Sequence, residues 1–173
     1  MTDNPLRIRG VDHFSWTVAE IEPVSEFYQR VFGAEVLYHV GPVDAAIMPR
    51  DDGGRDWTEA RLGIAGAQLQ FVMLSLPGNI KIEVTRFAAP AGRSVAPLAN
   101  NEIGASHLGL EVDDLETAAG HVRDNGCTVF ERIDSPPDSA TAGISYRFFR
   151  DPWGNIFELC GRYAPNATEG QAS

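Results

Sequence analysis

Apolar positions along the chain follow two periods in turn. Phe14, Trp16 and Val18 alternate with His13, Ser15 and Thr17, the two-residue period of a strand with one buried face. Val24, Phe27, Tyr28, Val31 and Phe32 then take the i, i+3, i+4, i+7, i+8 spacing of an amphipathic helix. Gly33 stands where such a helix closes in a left-handed turn. The same succession returns later. Leu108, Leu110 and Val112 alternate with His107, Gly109 and Glu111, and Leu115, Ala118, Ala119 and Val122 take the helical spacing ahead of Gly126. Asp113, with Glu116 three residues on, predicts a capping arrangement at the start of this second helix. Strand-like runs follow in each half: Gln68 to Leu76 and Ile80 to Phe87, then Ser145 to Arg150 and Asn155 to Gly161. Asp151-Pro-Trp-Gly154 predicts the turn that joins the last two.

Laid over one another, His13-Phe-Ser-Trp-Thr-Val-Ala-Glu-Ile-Glu and His107-Leu-Gly-Leu-Glu-Val-Asp-Asp-Leu-Glu coincide at the His, the Val and the final Glu, at an offset of 94 residues. The expected fold class is α+β: two βαβββ modules related as a pseudo-repeat, at 7–87 and 106–163. Pro90, Gly92, Pro97, Asn100, Asn101 and Gly104 give residues 88–105 the composition of a linker, and 164–173 reads as a flexible tail. Met48 to Gly63, with Asp51-Asp-Gly-Gly54, reads as a long loop. Its Asp56, Trp57 and Glu59 are candidates to close over a substrate, and a solvated loop is the plainer alternative.

The strand periods sort chemistry onto one face. Ile82 and Val84 oppose Lys81, Glu83 and Thr85, while Phe157 and Leu159 oppose Ile156, Glu158 and Cys160. A lone strand histidine is more often structural than a ligand, and a lone strand glutamate is usually solvated. Here a His opens each module and a Glu sits on each terminal strand, a pairing that independent solvation does not explain. Two imidazoles and two carboxylates form a ligand set for one divalent ion. With His13, Glu83, His107 and Glu158 all bound, space for substrate requires five or six coordination, which favours Ni, Co, Fe or Mn, or an expanded Zn site. Gln70, Tyr146, Arg147 and Phe149 are candidates to line the same cavity, whereas His39 and His121 read as structural or surface residues.

Composition narrows the function classes. The 173 residues, 43% apolar and 22% charged, are those of a soluble globular chain. A net charge of −10 argues against a nucleic-acid surface, which needs clustered Lys and Arg. No apolar run is long enough to cross a bilayer, and the first residues lack the pattern of a secretory signal, so the expected address is the cytoplasm, with no membrane partner. Cys127 and Cys160 have no metal-ligand spacing to one another and are expected to be buried thiols.

Several of these segments together resemble the vicinal oxygen chelate superfamily, which includes glyoxalase I, methylmalonyl-CoA epimerase, extradiol dioxygenases and bleomycin-resistance proteins. The likeness rests on Val11-Asp-His13, Glu26-Phe-Tyr28 before Phe32-Gly33, Ile80-Lys-Ile-Glu-Val84, Ser106-His107 through Val112-Asp-Asp-Leu115, and Arg150-Asp-Pro-Trp-Gly-Asn-Ile-Phe-Glu-Leu159. It runs from about Ile8 to Arg162. The resemblance implies a cup-shaped mixed sheet around one metal, with His13 and Glu83 as first-module ligands and His107 and Glu158 as second-module ligands. Ile-Glu-Val-Thr around Glu83 looks like the Ile-Glu-Leu-Thr of glyoxalase I, which supports four ligands. Extradiol dioxygenases use two His and one Glu, and bleomycin-binding members lack the set. The chain departs from the epimerases at Asp151-Pro-Trp-Gly154, where they carry Pro-Lys-Ser-x-Gly-Gly, so no substrate carries over.

A metal holding two oxygens of a carbonyl substrate acidifies the adjacent C–H and stabilises an enediolate. The expected function is therefore a divalent-metal-dependent isomerase, epimerase or lyase acting on a small carbonyl compound, with Glu158 as the first candidate base and Glu83 the second. An Fe(II)-dependent ring-cleaving dioxygenase is the alternative, followed by a non-catalytic small-molecule binding protein. Sheet edges left by two modules predict a homodimer.

Overall fold

Each of the two amphipathic stretches lays its apolar stripe on a sheet built from its own half of the chain. The structure, a computed structural model, describes residues 6–93 and 97–162. The expected tail at 164–173 and part of the expected linker lie outside the described residues. The chain divides into two compact units, Met1–Ser94 and Val95–Ser173.

The first unit runs β1 (Phe14–Thr17), α1 (Ile21–Phe32), β2 (Glu35–Asp44), α2 (Trp57–Leu62), β3 (Gln68–Leu76) and β4 (Ile80–Ala89). Its sheet has the order β1-β4-β3-β2, with β1 parallel to β4 and the other pairs antiparallel. α1 ends at Gly33, whose φ of 65° is the left-handed conformation that a side chain would strain. Val24 and Tyr28 on α1 are fully buried, as are Val72, Leu74, Ile82 and Val84 on β3 and β4. Burial of each such aliphatic side chain contributes about 1.5–3 kcal/mol. This core fixes β4, and so fixes the opposite face, to which Glu83 belongs.

The expected long loop contains a helix. Asp56, itself extended, caps α2: its Oδ1 accepts from the Thr58 and Glu59 amides and from the Thr58 hydroxyl, and its Oδ2 accepts from the Gly66 amide. Gly63 closes the helix at φ 70°. Asp56 is buried and committed to backbone, so it is not a lid residue. Trp57 is stacked under Arg61, 4.8 Å from ring centroid to guanidinium carbon. The hydrogen bonds, first from Glu59 N and then from the Thr58 hydroxyl, hold the Asp56 carboxyl down at about 2. Asp56→Ala is expected to lower Tm by roughly 2–8 °C at neutral pH. Because the folded pKa lies below the ordinary 3.8, this contribution is complete above 3.8 and disappears as pH falls toward 2. Thermal melts of both proteins across that range should show the gap narrowing; a gap that is constant with pH would refute the capping role.

The second unit runs β5 (His107–Val112), α3 (Leu115–Asp124), β6 (Thr128–Val129), β7 (Ile133–Asp134), β8 (Ile144–Arg150) and β9 (Ile156–Arg162). Its sheet has the order β5-β9-β8-β6, with β7 also paired to β8 and β5 parallel to β9. The second strand of this module is split into two short pieces, β6 and β7. Phe130 N still bonds Phe148 O, but the Phe130 carbonyl accepts Arg147 Nη1 at 2.9 Å and leaves the ladder. The helix cap also differs from expectation. Asp114, not Asp113, is the N-cap and accepts the Thr117 amide at 2.8 Å. This start turns Leu115, Ala119 and Val122 into the core, and Glu116 outward to Arg147 and Arg132. Phe149 and Phe157, register partners on β8 and β9, are fully buried and stacked at 5.0 Å.

Candidate functional site

The parallel strand pair in each unit sets the position of its glutamate. Ser15 on β1 is the register partner of Glu83 on β4, and Gly109 on β5 is the register partner of Glu158 on β9. Ser15 and Gly109 stand at the same place in the 94-residue repeat, so Glu83 and Glu158 are equivalent positions. His13 and His107 both lie two residues before those partners, one at the lip of β1 and one opening β5.

In the first unit, His13 Nδ1 lies 2.8 Å from Asp12 Oδ1, and Asp12 Oδ2 receives Lys81 Nζ at 2.9 Å. A carboxylate only accepts, so Nδ1 donates in this contact, and in the neutral imidazole that leaves Nε2 as the lone-pair atom. The His13 bond, followed by Lys81, holds the Asp12 carboxyl below its usual range. Glu83 Oε1 accepts two hydroxyls, Ser15 Oγ and Thr85 Oγ1, each at 3.0 Å. Met73, opposite Glu83 in register, and Thr85 are both buried, so the glutamate face is not simply a solvated one.

In the second unit, His107 Nε2 lies 3.4 Å from Glu158 Oε2, and Glu158 is the more buried of the two. Phe148 is the register partner of Glu158, and its ring meets the His107 imidazole edge to face at 5.2 Å. Tyr146 meets Phe148 in the same way at 6.0 Å. Burial first, and then the charge of nearby Glu158, raise the pKa of the Cys160 thiol. Cys160 is half-buried, whereas Cys127 is buried and is raised to about 11 by that burial.

The matching halves are those of a known family. A family model described as the Glyoxalase/Bleomycin resistance protein/Dioxygenase superfamily matches residues 10–159. The chain belongs to this superfamily. A 2-epi-5-epi-valiolone epimerase from an Actinomyces species is 30% identical to the chain over 152 residues, covering 87% of it and 78% of that protein. A glyoxalase family protein from Bacillus cereus shares the fold at a TM-score of 0.71 and 15% identity, covering 95% of this chain and 99% of that one. The fosfomycin resistance protein FosX from Listeria monocytogenes aligns at a TM-score of 0.57 and 16% identity, over 90% of this chain and 94% of its own. A variant of that FosX, solved with Mn(II) and 1S,2S-dihydroxypropylphosphonic acid, aligns at 0.53 and 16%, over 88% and 89%.

Membership in the glyoxalase superfamily makes a divalent ion the group to test against these residues. Among the described residues, no group of three or more His, Cys, Asp or Glu side chains forms a metal cluster. Within the second unit, however, His107 Nε2 and Glu158 Oε2 are 3.4 Å apart, longer than a well-made hydrogen bond of about 2.7–3.2 Å. Two donors each about 2.1 Å from a shared ion stand about 3.0–3.4 Å apart in octahedral or tetrahedral arrangements. In the first unit, Glu83 Oε2 and His13 Nε2 take no hydrogen bond among the described residues. The donor types and this spacing fit a divalent ion.

The residues expected to line the cavity divide by register. Tyr146 pairs with Cys160 and shares the Glu158 face. Arg147 pairs with Leu159, and Phe149 with Phe157, so both belong to the opposite, α3-packed face. Gln70 pairs with Arg86 and shares the parity of Val72, Val84 and Ile82, again the helix side. Phe148 went unnoticed in the sequence, Asp12 was named only within Val11-Asp-His13, and Lys81, Ser15 and Thr85 were placed on the correct face without a role. Strand alternation alone marks the last two, each two residues from a proposed ligand.

Proposed function

We propose that this chain is a divalent-metal-dependent epimerase or isomerase that moves a proton at the carbon next to a ketone. The observation that carries the reading is the repeated pair, an imidazole and a carboxylate at equivalent register positions in each unit. The epimerase relative supports this reaction class, and the name of its substrate denotes a ketone. His13, Glu83, His107 and Glu158 are proposed to hold one ion, with Mn(II), found with the FosX variant, as the first candidate among Mn, Fe, Co, Ni and Zn. When bound, the ion polarises the carbonyl and offsets the charge that develops on deprotonation. Glu158 takes the proton from the carbon, and a solvent-exchangeable proton delivered to the opposite face of the planar carbon inverts the centre, so composition and oxidation state are unchanged. Asp12 fixes the His13 tautomer, and Phe148 packs the His107 ring.

Elemental analysis should find about one divalent ion per chain in the wild type. His13→Ala and His107→Ala should each lower metal affinity about tenfold or more, by removing a neutral nitrogen donor. A wild type that holds no ion after reconstitution refutes the reading. With metal-loaded protein, a panel of cyclic ketones, 2-oxo thiohemiacetals and acyl-CoA thioesters in D2O should show exchange at the carbon next to the carbonyl. Oxygen uptake with catechols and no exchange would instead place the chain with the ring-cleaving dioxygenases.

We also propose a homodimer. β2 is a ten-residue edge strand exposed along most of its length, and Val36, Leu37 and Tyr38 are 37%, 48% and 49% exposed. An apolar open edge of this kind calls for cover. Light scattering should give twice the 18.8 kDa mass of the chain, and a monomer at micromolar concentration refutes the assignment. No helix among the described residues is long and apolar enough to cross a membrane.

A further inference from the structure

The two equivalent glutamates differ in what holds them. Glu83 Oε1 receives hydroxyl hydrogen bonds from Ser15, its register partner, and from Thr85, two residues along β4. At the corresponding places around Glu158 stand Gly109, its register partner, and Cys160, two residues along β9. One hydroxyl is replaced by no side chain at all, and the other by a thiol, a weak donor. Glu158 therefore keeps the 3.4 Å approach to His107, and among the described residues no hydroxyl bonds to either of its oxygens.

We infer that Ser15 and Thr85 are positioning residues that hold Glu83 as the fixed carboxylate of the site, and that Gly109 leaves Glu158 free to swing and carry the proton. The inference rests on the proposed metal-dependent epimerase reading. A carboxylate that takes a proton from carbon must move between two positions of its lone pairs. For Glu83, that movement breaks two charge-assisted hydrogen bonds at once. For Glu158 it breaks none to a hydroxyl. The space is also present: a Cβ built on Gly109 would lie 3.6 Å from Glu158 Oε2 and 3.9 Å from Cys160 Sγ, ordinary contact distances. A side chain there fits, but it would occupy the volume through which the carboxylate turns. The asymmetry thus divides two chemically identical side chains between ligation and proton transfer.

The test moves the hydroxyls from one unit to the other. Ser15→Ala, Thr85→Val and their combination remove the clamp; Thr85→Ser is the conservative control; Gly109→Ser with Cys160→Thr installs the same pair around Glu158. Mn(II) affinity is read by titration, and deuterium exchange at a ketone is read at saturating Mn(II). The double Ser15/Thr85 variant should bind Mn(II) about 10–100-fold more weakly, the range expected when a ligand's supporting partners are lost. Thr85→Ser should keep wild-type affinity, and exchange by the fully loaded double variant should fall less than tenfold. Gly109→Ser/Cys160→Thr should bind Mn(II) at least as well as the wild type, and exchange tenfold or more slowly. Wild-type Mn(II) affinity in the double variant, or full exchange in Gly109→Ser/Cys160→Thr, overturns the inference while leaving the epimerase reading in place. A wild type that neither binds Mn(II) nor exchanges any ketone overturns both. Ser15→Ala, at an exposed position, keeps the affinity measurement available if Thr85→Val fails to fold.

Discussion

Glu158→Gln is expected to slow exchange of the substrate's carbon-bound proton with solvent by roughly 10²–10⁴-fold while most of the metal remains bound. The substitution keeps the length of the side chain and one oxygen donor, and removes only the basic carboxylate. Metal content and exchange therefore separate if Glu158 is the base. They fall together, and recover together with added metal, if it is a ligand alone. Glu83→Gln is the companion. Its amide keeps an oxygen for Ser15 and Thr85, but lacks the charge that makes those bonds strong, so metal affinity should drop before exchange does. Full exchange in metal-loaded Glu158→Gln would remove Glu158 from catalysis.

Phe149→Ala is expected to cost about 3–5 kcal/mol, the usual range for a large aromatic taken from a closed core. Phe149 and Phe157 are both wholly buried, stacked with 9° between planes, and sit on neighbouring strands directly opposite one another. Phe157 is adjacent in sequence to Glu158, so the stack under one face sets the height of β9, which carries the carboxylate on the other. Urea denaturation of Phe149→Ala and wild type would measure the loss. A cost under about 1 kcal/mol would mean that the core closes over the gap and does not hold β9 in place.

Much of the fold could be read in the apolar periods. β3 occupies the expected Gln68–Leu76, and both helices fall where the i, i+3, i+4 spacing placed them, because these elements bury one face and the pattern records that face. What the periods miss depends on hydrogen bonds between residues distant in sequence. The split of the second strand in the second unit turns on an Arg147 guanidinium seventeen positions from the carbonyl it takes. α2 was missed for a nearer reason: six residues give too few turns for a periodicity, though Asp56 with Glu59 and Gly63 mark its two ends. The helical register was read one residue early at Asp113 because Asp113 and Asp114 are both suitable caps. At the candidate site, the imidazoles and carboxylates were legible because the repeat places them twice. Their partners were not, since Ser15 meets Glu83 only when β1 and β4 are paired. For Gln70, Tyr146, Arg147 and Phe149 the face stayed open in the sequence, because parity is decided only by pairing, which puts Tyr146 on the glutamate side and the other three on the helix side.

The parallel pairing of the first and last strands of each unit has a consequence for the order of folding. Ser15 and Glu83 are 68 positions apart, yet they face one another, and among the described residues β1 has no other strand neighbour. Hairpins such as β3–β4 close short loops and form early, whereas β1 can dock only after β4 has been made, at a larger loop-closure cost. The same holds for β5 and β9. On a ribosome, each unit therefore joins its histidine-bearing strand to its glutamate-bearing strand last: a nascent chain stopped before Ile80 has neither pair, and one stopped before Ile156 has only the first.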